Sequence, residues 1–168
     1  MRLRIKKKDI IDIVLGVLLA FIIVSTVGRA TVVGESMENT YKDGNTVIMD
    51  KQLYKVLGIN RGDIVITTEV EGMGRHLVKR VIGIPGDNVK IENNKVYINN
   101  KELKEEYIKE DMVTNDLEVD LSEDEYFLMG DNRNDSIDSR AIGVIRKSEI
   151  YGVSLFKINT HLDTSKLR

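Results

Sequence analysis

The sequence predicts a mainly β domain, antiparallel and curled toward a barrel, carried on one amino-terminal transmembrane helix. Three observations predict it. An apolar run follows a cluster of cations, the patterning then changes to period two, and turn signals recur every few residues. The chain has 168 residues, 42% hydrophobic and 31% charged, which suits one packed domain rather than a disordered chain.

The anchor comes first in the chain. Residues 1–8 hold Arg2, Arg4, Lys6, Lys7 and Lys8 and no anion, and form a basic tip. Residues 10–27 read IIDIVLGVLLAFIIVSTV, interrupted only by Asp12. At about 1.5 Å per residue this run spans roughly 27 Å, near the thickness of a bilayer's hydrocarbon core. The expected anchor is 9–28, and the preceding cations place the tip in the cytoplasm. Residues 29–168 then lie outside, in a single-pass protein of the cell membrane. A cleaved signal peptide is the competing reading. The run is long for its apolar region, and Gly28-Arg29 spoils the small-x-small pattern of VSTVGRA.

The body reads as short strands at Thr31–Val33, Asn45–Asp50, Asp63–Thr68, His76–Ile82, Asn88–Glu92, Lys95–Ile98, Glu125–Met129 and Ile150–Ile158. Asp43-Gly44, Arg61-Gly62, Pro85-Gly86-Asp87 and Asn93-Asn94 separate them, the last as a hairpin turn. Residues 86–124 are expected to form a small inserted subdomain. Within it and just beyond, residues 102–125 hold eleven acids against Lys104 and Lys109, and read as a solvated, partly helical insertion.

Composition excludes several chemistries. There is no cysteine, hence no disulfide scaffold, thiol nucleophile or iron–sulfur cluster. His76 and His161 are too few for a histidine-rich metal site, so no metal is expected. Without the tip, 20 basic residues face 27 acidic ones. A basic tip on an acidic body is not the charge distribution of a nucleic-acid binder.

Four segments carry candidate chemistry. In Gly34-Glu35-Ser36-Met37-Glu38-Asn39-Thr40 a serine follows a strand in a tight turn that can expose its hydroxyl. Alone this is weak, because most turn serines satisfy backbone groups. Arg61-Gly62-Asp63 turns the chain into a strand rather than marking an adhesion site. Lys79 lies in an apolar strand between Val78 and Val81. Turned inward, it has a lowered pKa, because desolvation disfavours its charge. Gly130 to Arg140 reads GDNRNDSIDSR, a loop dense enough in charge for internal ion pairs.

In this order and after one anchor, the four segments resemble bacterial type I signal peptidases, in the short form of Gram-positive members. That family is marked by SM-x-P-T, R-G-D-[IV]-V, K-R-[VI]-I-G-x-P-G-D and G-D-N-R-x-x-S-x-D-S-R. The resemblance implies a catalytic domain of the signal peptidase type, with Ser36 as nucleophile and Lys79 as general base. It implies that Ser136 hydrogen-bonds and orients the lysine, that Asp138 and Arg140 pair beside the site, and that Asp131 and Arg133 brace the loop. Gly34 and Met37 fall in the substrate cleft. Gly34 offers no hydroxyl to an oxyanion hole, which leaves the Ser36 N–H as a donor. His76 reads as structural. The family proline is Asn39 here, which loosens the expected turn because proline fixes φ. The implied partners are the lipid bilayer and exported preproteins with small residues at −1 and −3, bound by strand addition against walls at Thr31–Val33 and Thr68–Val81. No cofactor and no nucleic acid is implied.

Geometry supports a site near the membrane. Ser36 follows Gly28 by eight residues, at most about 29 Å of extended chain. Two other classes compete. One is a non-catalytic preprotein-binding or surface-assembly relative, which labelling by a serine-reactive inhibitor tests. The other is a self-cleaving Ser–Lys regulator, which carries a DNA-binding module where this chain has an anchor.

Overall fold

The computed structural model describes residues 6–70 and 74–158. Most of the basic tip and His161 lie outside the described residues.

Helix α1 (Lys7–Thr26) opens at Lys6, whose N–H donates to Asp9 Oδ2 at 2.9 Å, satisfying a donor the helix leaves unpaired. Its apolar side chains are exposed, from Ile10 through Leu15 to Phe21 and Val24. Lys7, Lys8, Asp9 and Asp12 crowd its first turns, and among the described residues no helix is long and apolar enough to cross a membrane. Of the expected anchor 9–28, residues up to Thr26 are helical and Val27 and Gly28 belong to the first strand, and the charged start shortens the apolar part.

Two open antiparallel sheets follow. The larger holds β1 (Val27–Thr31), β2 (Thr46–Asp50), β3 (Ile64–Thr67), β4 (Val78–Gly83), β9 (Glu125–Met129), β10 (Ile145–Arg146) and β11 (Ile150–Ile158), ordered β1-β2-β11-β3-β4-β9-β10. The smaller holds β5 (Asn88–Glu92), β6 (Lys95–Ile98), β7 (Lys101–Glu102) and β8 (Leu117–Asp120), ordered β7-β6-β5-β8. Short helices α2 (Tyr54–Leu57) and α3 (Ser139–Ile142) sit in the connections. The large sheet is bent by register shifts at Ser154/Phe156, Ile150/Gly152 and Val81/Gly83, as bulges bend strands. It stays open, with β1 and β10 at its edges.

Two expectations change. The first strand begins at Val27, directly after the helix, and not at Thr31, because β1 pairs with β2 from Val27↔Asp50 onward. The acidic insertion is not helical. Leu117–Asp120 alternates half-buried with exposed residues and adds to β5 as an edge strand, while Met112 enters the core. The acids of β8, Glu118 and Asp120, line the outer face, where period two puts every second side chain in water.

The sheets meet at Gly83. A Cβ there would lie 2.5 Å from Val89 Cγ2 and 2.6 Å from Leu121 Cδ1, so the strand approaches this closely only as glycine. A second apolar cluster, including Met37, Tyr41, Val47, Met49 and Ile66, underlies the turn at Ser36. Burying such side chains contributes about 1.5–3 kcal/mol each.

Candidate active site

Ser36 and Lys79 meet. Lys79 Nζ lies 2.6 Å from Ser36 Oγ, across 43 residues of chain. The lysine sits on β4 opposite Val65 of β3, and its side chain points into the fold, leaving the residue 3% exposed. Burial lowers its pKa from the usual 10.5 to about 8. Asp138 works against this by favouring the charge, whereas Arg75 and Arg140 reinforce it.

Ser36 is held by the fourth motif. The N–H of Asn132 donates to Ser36 O at 3.1 Å, and Asn132 Nδ2 donates to Glu35 O at 3.2 Å. Gly130 makes this approach possible, since a Cβ there would overlap both Ser36 O and Ser136 Oγ. The Asp138 carboxylate accepts from Gly130 N and Arg140 Nη2, at 3.0 and 2.8 Å. Burial raises the Asp138 pKa, but the Arg140 guanidinium outweighs it and holds the carboxyl below its ordinary value.

Ser136 departs from expectation. Its Oγ is buried without a hydrogen-bond partner among the described residues, Lys79 included. It lies near enough to Asp138 to favour that carboxylate, though short of hydrogen-bonding geometry. Met37 also departs. It is 1% exposed and packs in the cluster below the turn, so it supports the cleft floor rather than facing substrate.

Asp131 and Arg133 are fully buried, each with its own partner. Asp131 accepts from Arg80 Nε and Nη2 at 2.8 and 2.7 Å, and from the Thr40 hydroxyl. Arg133 grips both carboxylate oxygens of Glu105, at 2.7 Å through Nη1 and also through Nη2. Glu105 belongs to the acidic insertion, and sequence reasoning missed it. Its only signal was a surplus of acids that did not single it out. Tyr107 was missed too; the Arg80 guanidinium stacks 4.0 Å from its ring. The R-G-D and P-G-D turns are likewise joined, by Arg61 Nη2 to Asp87 Oδ2 at 2.8 Å.

A cleft of about 760 Å³ runs from the Ser36–Lys79 contact between 29–36 and 75–79. Gly34 lines it in the left-handed region (φ 87°), with its N–H on Asp43 Oδ1. His76 lines it as well, anchored by Nδ1 to Thr67 O at 2.7 Å and packed against Tyr151. Beside the cleft β1 is an edge strand, whose unpaired backbone groups are a template for another strand. Among the described residues no group of three or more histidine or carboxylate side chains converges to hold a metal.

A serine hydroxyl against a buried lysine amine, at the end of an elongated cleft with a free strand edge, is the arrangement of a serine peptidase that takes extended chains. The family described as "Signal peptidase, peptidase S26" matches residues 7–158, and the chain belongs to it. Signal peptidase I U of Bacillus subtilis is 40% identical over 129 residues, covering 71% of this chain and 68% of that one. Signal peptidase I of Bacillus amyloliquefaciens is 37% identical over 167 residues, covering 90% and 89%. The crystal structure of a signal peptidase I from Enterococcus faecalis superposes with a TM-score of 0.50 at 30% identity, covering 56% of this chain and 95% of that one.

Proposed function

We propose that this chain is a membrane-attached serine endopeptidase that removes signal peptides from exported preproteins, with Ser36 as nucleophile and Lys79 as general base. The observation that carries the assignment is the 2.6 Å contact between Ser36 Oγ and a lysine amine whose burial lowers its pKa to about 8. About a tenth of such lysines are neutral at pH 7 in the free enzyme, and a bound substrate that excludes water raises that fraction.

The steps follow from these groups. A preprotein segment lies extended in the cleft, adding to the edge of β1. Neutral Lys79 takes the proton from Ser36 Oγ as it attacks the scissile carbonyl carbon. The Ser36 N–H faces the developing oxyanion. Lys79 then protonates the departing amine, the C–N bond breaks, and the mature protein leaves. Water, deprotonated by Lys79, attacks the ester carbonyl carbon, the C–Oγ bond breaks, Lys79 returns the proton to Ser36 Oγ, and the signal peptide leaves as its carboxylate. The proposed substrates carry small residues at −1 and −3, for a cleft lined by short side chains such as Ala30, Val32 and Val78 together with larger ones such as Met49, Leu77 and Tyr151. Ser136 and Asp138 fix the lysine's surroundings through packing and charge, and Asp131 and Arg133 brace their loop.

The bilayer is the second partner. α1 crosses it once, with Lys7 and Lys8 on the cytoplasmic side, and residues after Val27 lie outside. Leu53, just before α2, and Val56 and Leu57 on it stand exposed, close after Lys51, whose N–H donates to Thr26 O at the end of α1. Residues 86–124 serve as a small subdomain built on the four-stranded sheet.

The test is cleavage of a preprotein with an Ala-x-Ala site by the intact chain, Ser36→Ala and Lys79→Ala, in detergent. Cutting by the intact chain alone is expected. Binding without cutting by the intact chain overturns the reading in favour of a preprotein-binding relative.

A further inference from the structure

The turn that presents Ser36 is not built as the pattern SM-x-P-T implies. Asn39 stands where the pattern has proline, and its φ is 86°. Proline is locked near −65°, so it does not fit this backbone, whereas asparagine is among the residues that tolerate the left-handed region best. Across that turn Thr40 N and Tyr41 N donate to Met37 O at 3.0 and 2.7 Å.

A second segment lies over the turn. Asn39 Nδ2 donates to Ile108 O at 3.1 Å, and Lys109 Nζ pairs with Glu38 Oε2 at 2.5 Å. Lys109 N donates to Asp131 O at 3.0 Å, next to the Asn132 N–H that holds Ser36 O. The segment is tied at both ends, by the Glu105–Arg133 pair and by Met112, which is 4% exposed in the core cluster. It comes from the acidic insertion, 69 residues along the chain from Asn39.

We propose that residues 105–112 form a strap that sets the position of Ser36, and that Asn39 is the positioning residue through which the strap acts. The side-chain hydrogen bond to Ile108 O supplies the rigidity that a fixed φ supplies in the proline pattern. Asn39 touches neither Lys79 nor the cleft, so it acts through the placement of Ser36 Oγ. This inference rests on Ser36 being the nucleophile.

Three variants of the full chain test it, with steady-state cleavage of an Ala-x-Ala preprotein in detergent, its pH profile, and the thermal midpoint. Asn39→Gly keeps the left-handed backbone and removes the donor. Its kcat should fall about fivefold, as expected for loss of one hydrogen bond of ordinary strength. KM and the pH at half-maximal rate should stay unchanged, since Lys79 and the cleft are untouched, and the thermal midpoint should fall by no more than a few degrees, leaving the chain fully folded at the assay temperature. Asn39→Pro, which restores the pattern residue, should be slower than Asn39→Gly. Ser36→Ala, run alongside, should be inactive. An Asn39→Gly variant as fast as the unaltered chain, or an Asn39→Pro variant as fast or faster, overturns the strap while leaving Ser36 as nucleophile. A loss of kcat that merely tracks a lowered thermal midpoint makes Asn39 a stabilising residue and overturns its positioning role. Activity in Ser36→Ala overturns both this inference and the assignment beneath it.

Discussion

In the proposed mechanism Lys79 carries the chemistry through a balance of opposing effects on one amine. Desolvation is the largest, and it lowers the pKa to about 8. The base works only when neutral, so the rate should fall tenfold per pH unit well below 8 and level off above it. Arg75, exposed on the cleft wall, lowers the same pKa by repelling the ammonium. Arg75→Gln should therefore move the rising limb of kcat/KM to higher pH. A limb that stays in place or moves lower counts against this electrostatic link. At this scale the sequence was informative. Lys79 among Val78 and Val81 reads as an inward lysine, and its contact with Ser36 follows from the motif order. Ser136 was not legible in the same way. Its motif position implied a bond to the lysine, while packing against Gly130 leaves its hydroxyl without a partner.

The elements show where reading by periodicity works. Asn88–Glu92, Lys95–Ile98, Glu125–Met129 and Ile150–Ile158 stand where alternation and turn signals put them. Asn93 and Asn94, at φ 51° and 62°, make the expected hairpin turn. The insertion was misread because composition hides its one buried acid. Glu105 is an ordinary member of an acidic run until Arg133, 28 residues away, folds against it. Burial makes this pair matter. The Arg133 side chain is 1% exposed and the Glu105 side chain 7%, and removing one partner of a buried pair costs about 3–5 kcal/mol by stranding the other. Glu105→Ala should lower stability by about that amount, measured by urea unfolding of the full chain in detergent. The exposed pair Lys95–Glu102 bears on the same argument. Glu102→Ala should change stability by no more than about 1 kcal/mol. Equal effects of the two variants would mean that the Glu105 carboxylate is solvated and that the insertion is only a decoration.

At the scale of the whole molecule, the proposed membrane attachment asks how a short, charged-ended helix would hold the catalytic domain at a bilayer. From Ile13 to Thr26, α1 is free of charge, about 21 Å at 1.5 Å per residue against a core of about 30 Å. If α1 crosses as proposed, Lys7 and Lys8 would snorkel to one surface with Asp9 and Asp12 near it, and local thinning would have to close the remaining mismatch. The other end leaves no slack. β1 begins at Val27 without a linker, and Lys51 N holds Thr26 O at 2.8 Å, so in the proposed topology the large sheet would start at the membrane surface. Such a rigid junction fixes how far the cleft stands from the bilayer, which matters if the segment to be cut emerges from that same bilayer. The absence of cysteine makes the orientation measurable, because each introduced thiol is the sole target. In intact cells Glu123→Cys, on an exposed turn, should react with a membrane-impermeant maleimide. Lys8→Cys should react only after the cells are opened. Labelling of both positions from outside would mean that α1 lies on the membrane instead of crossing it, and labelling of Lys8→Cys alone would invert the orientation.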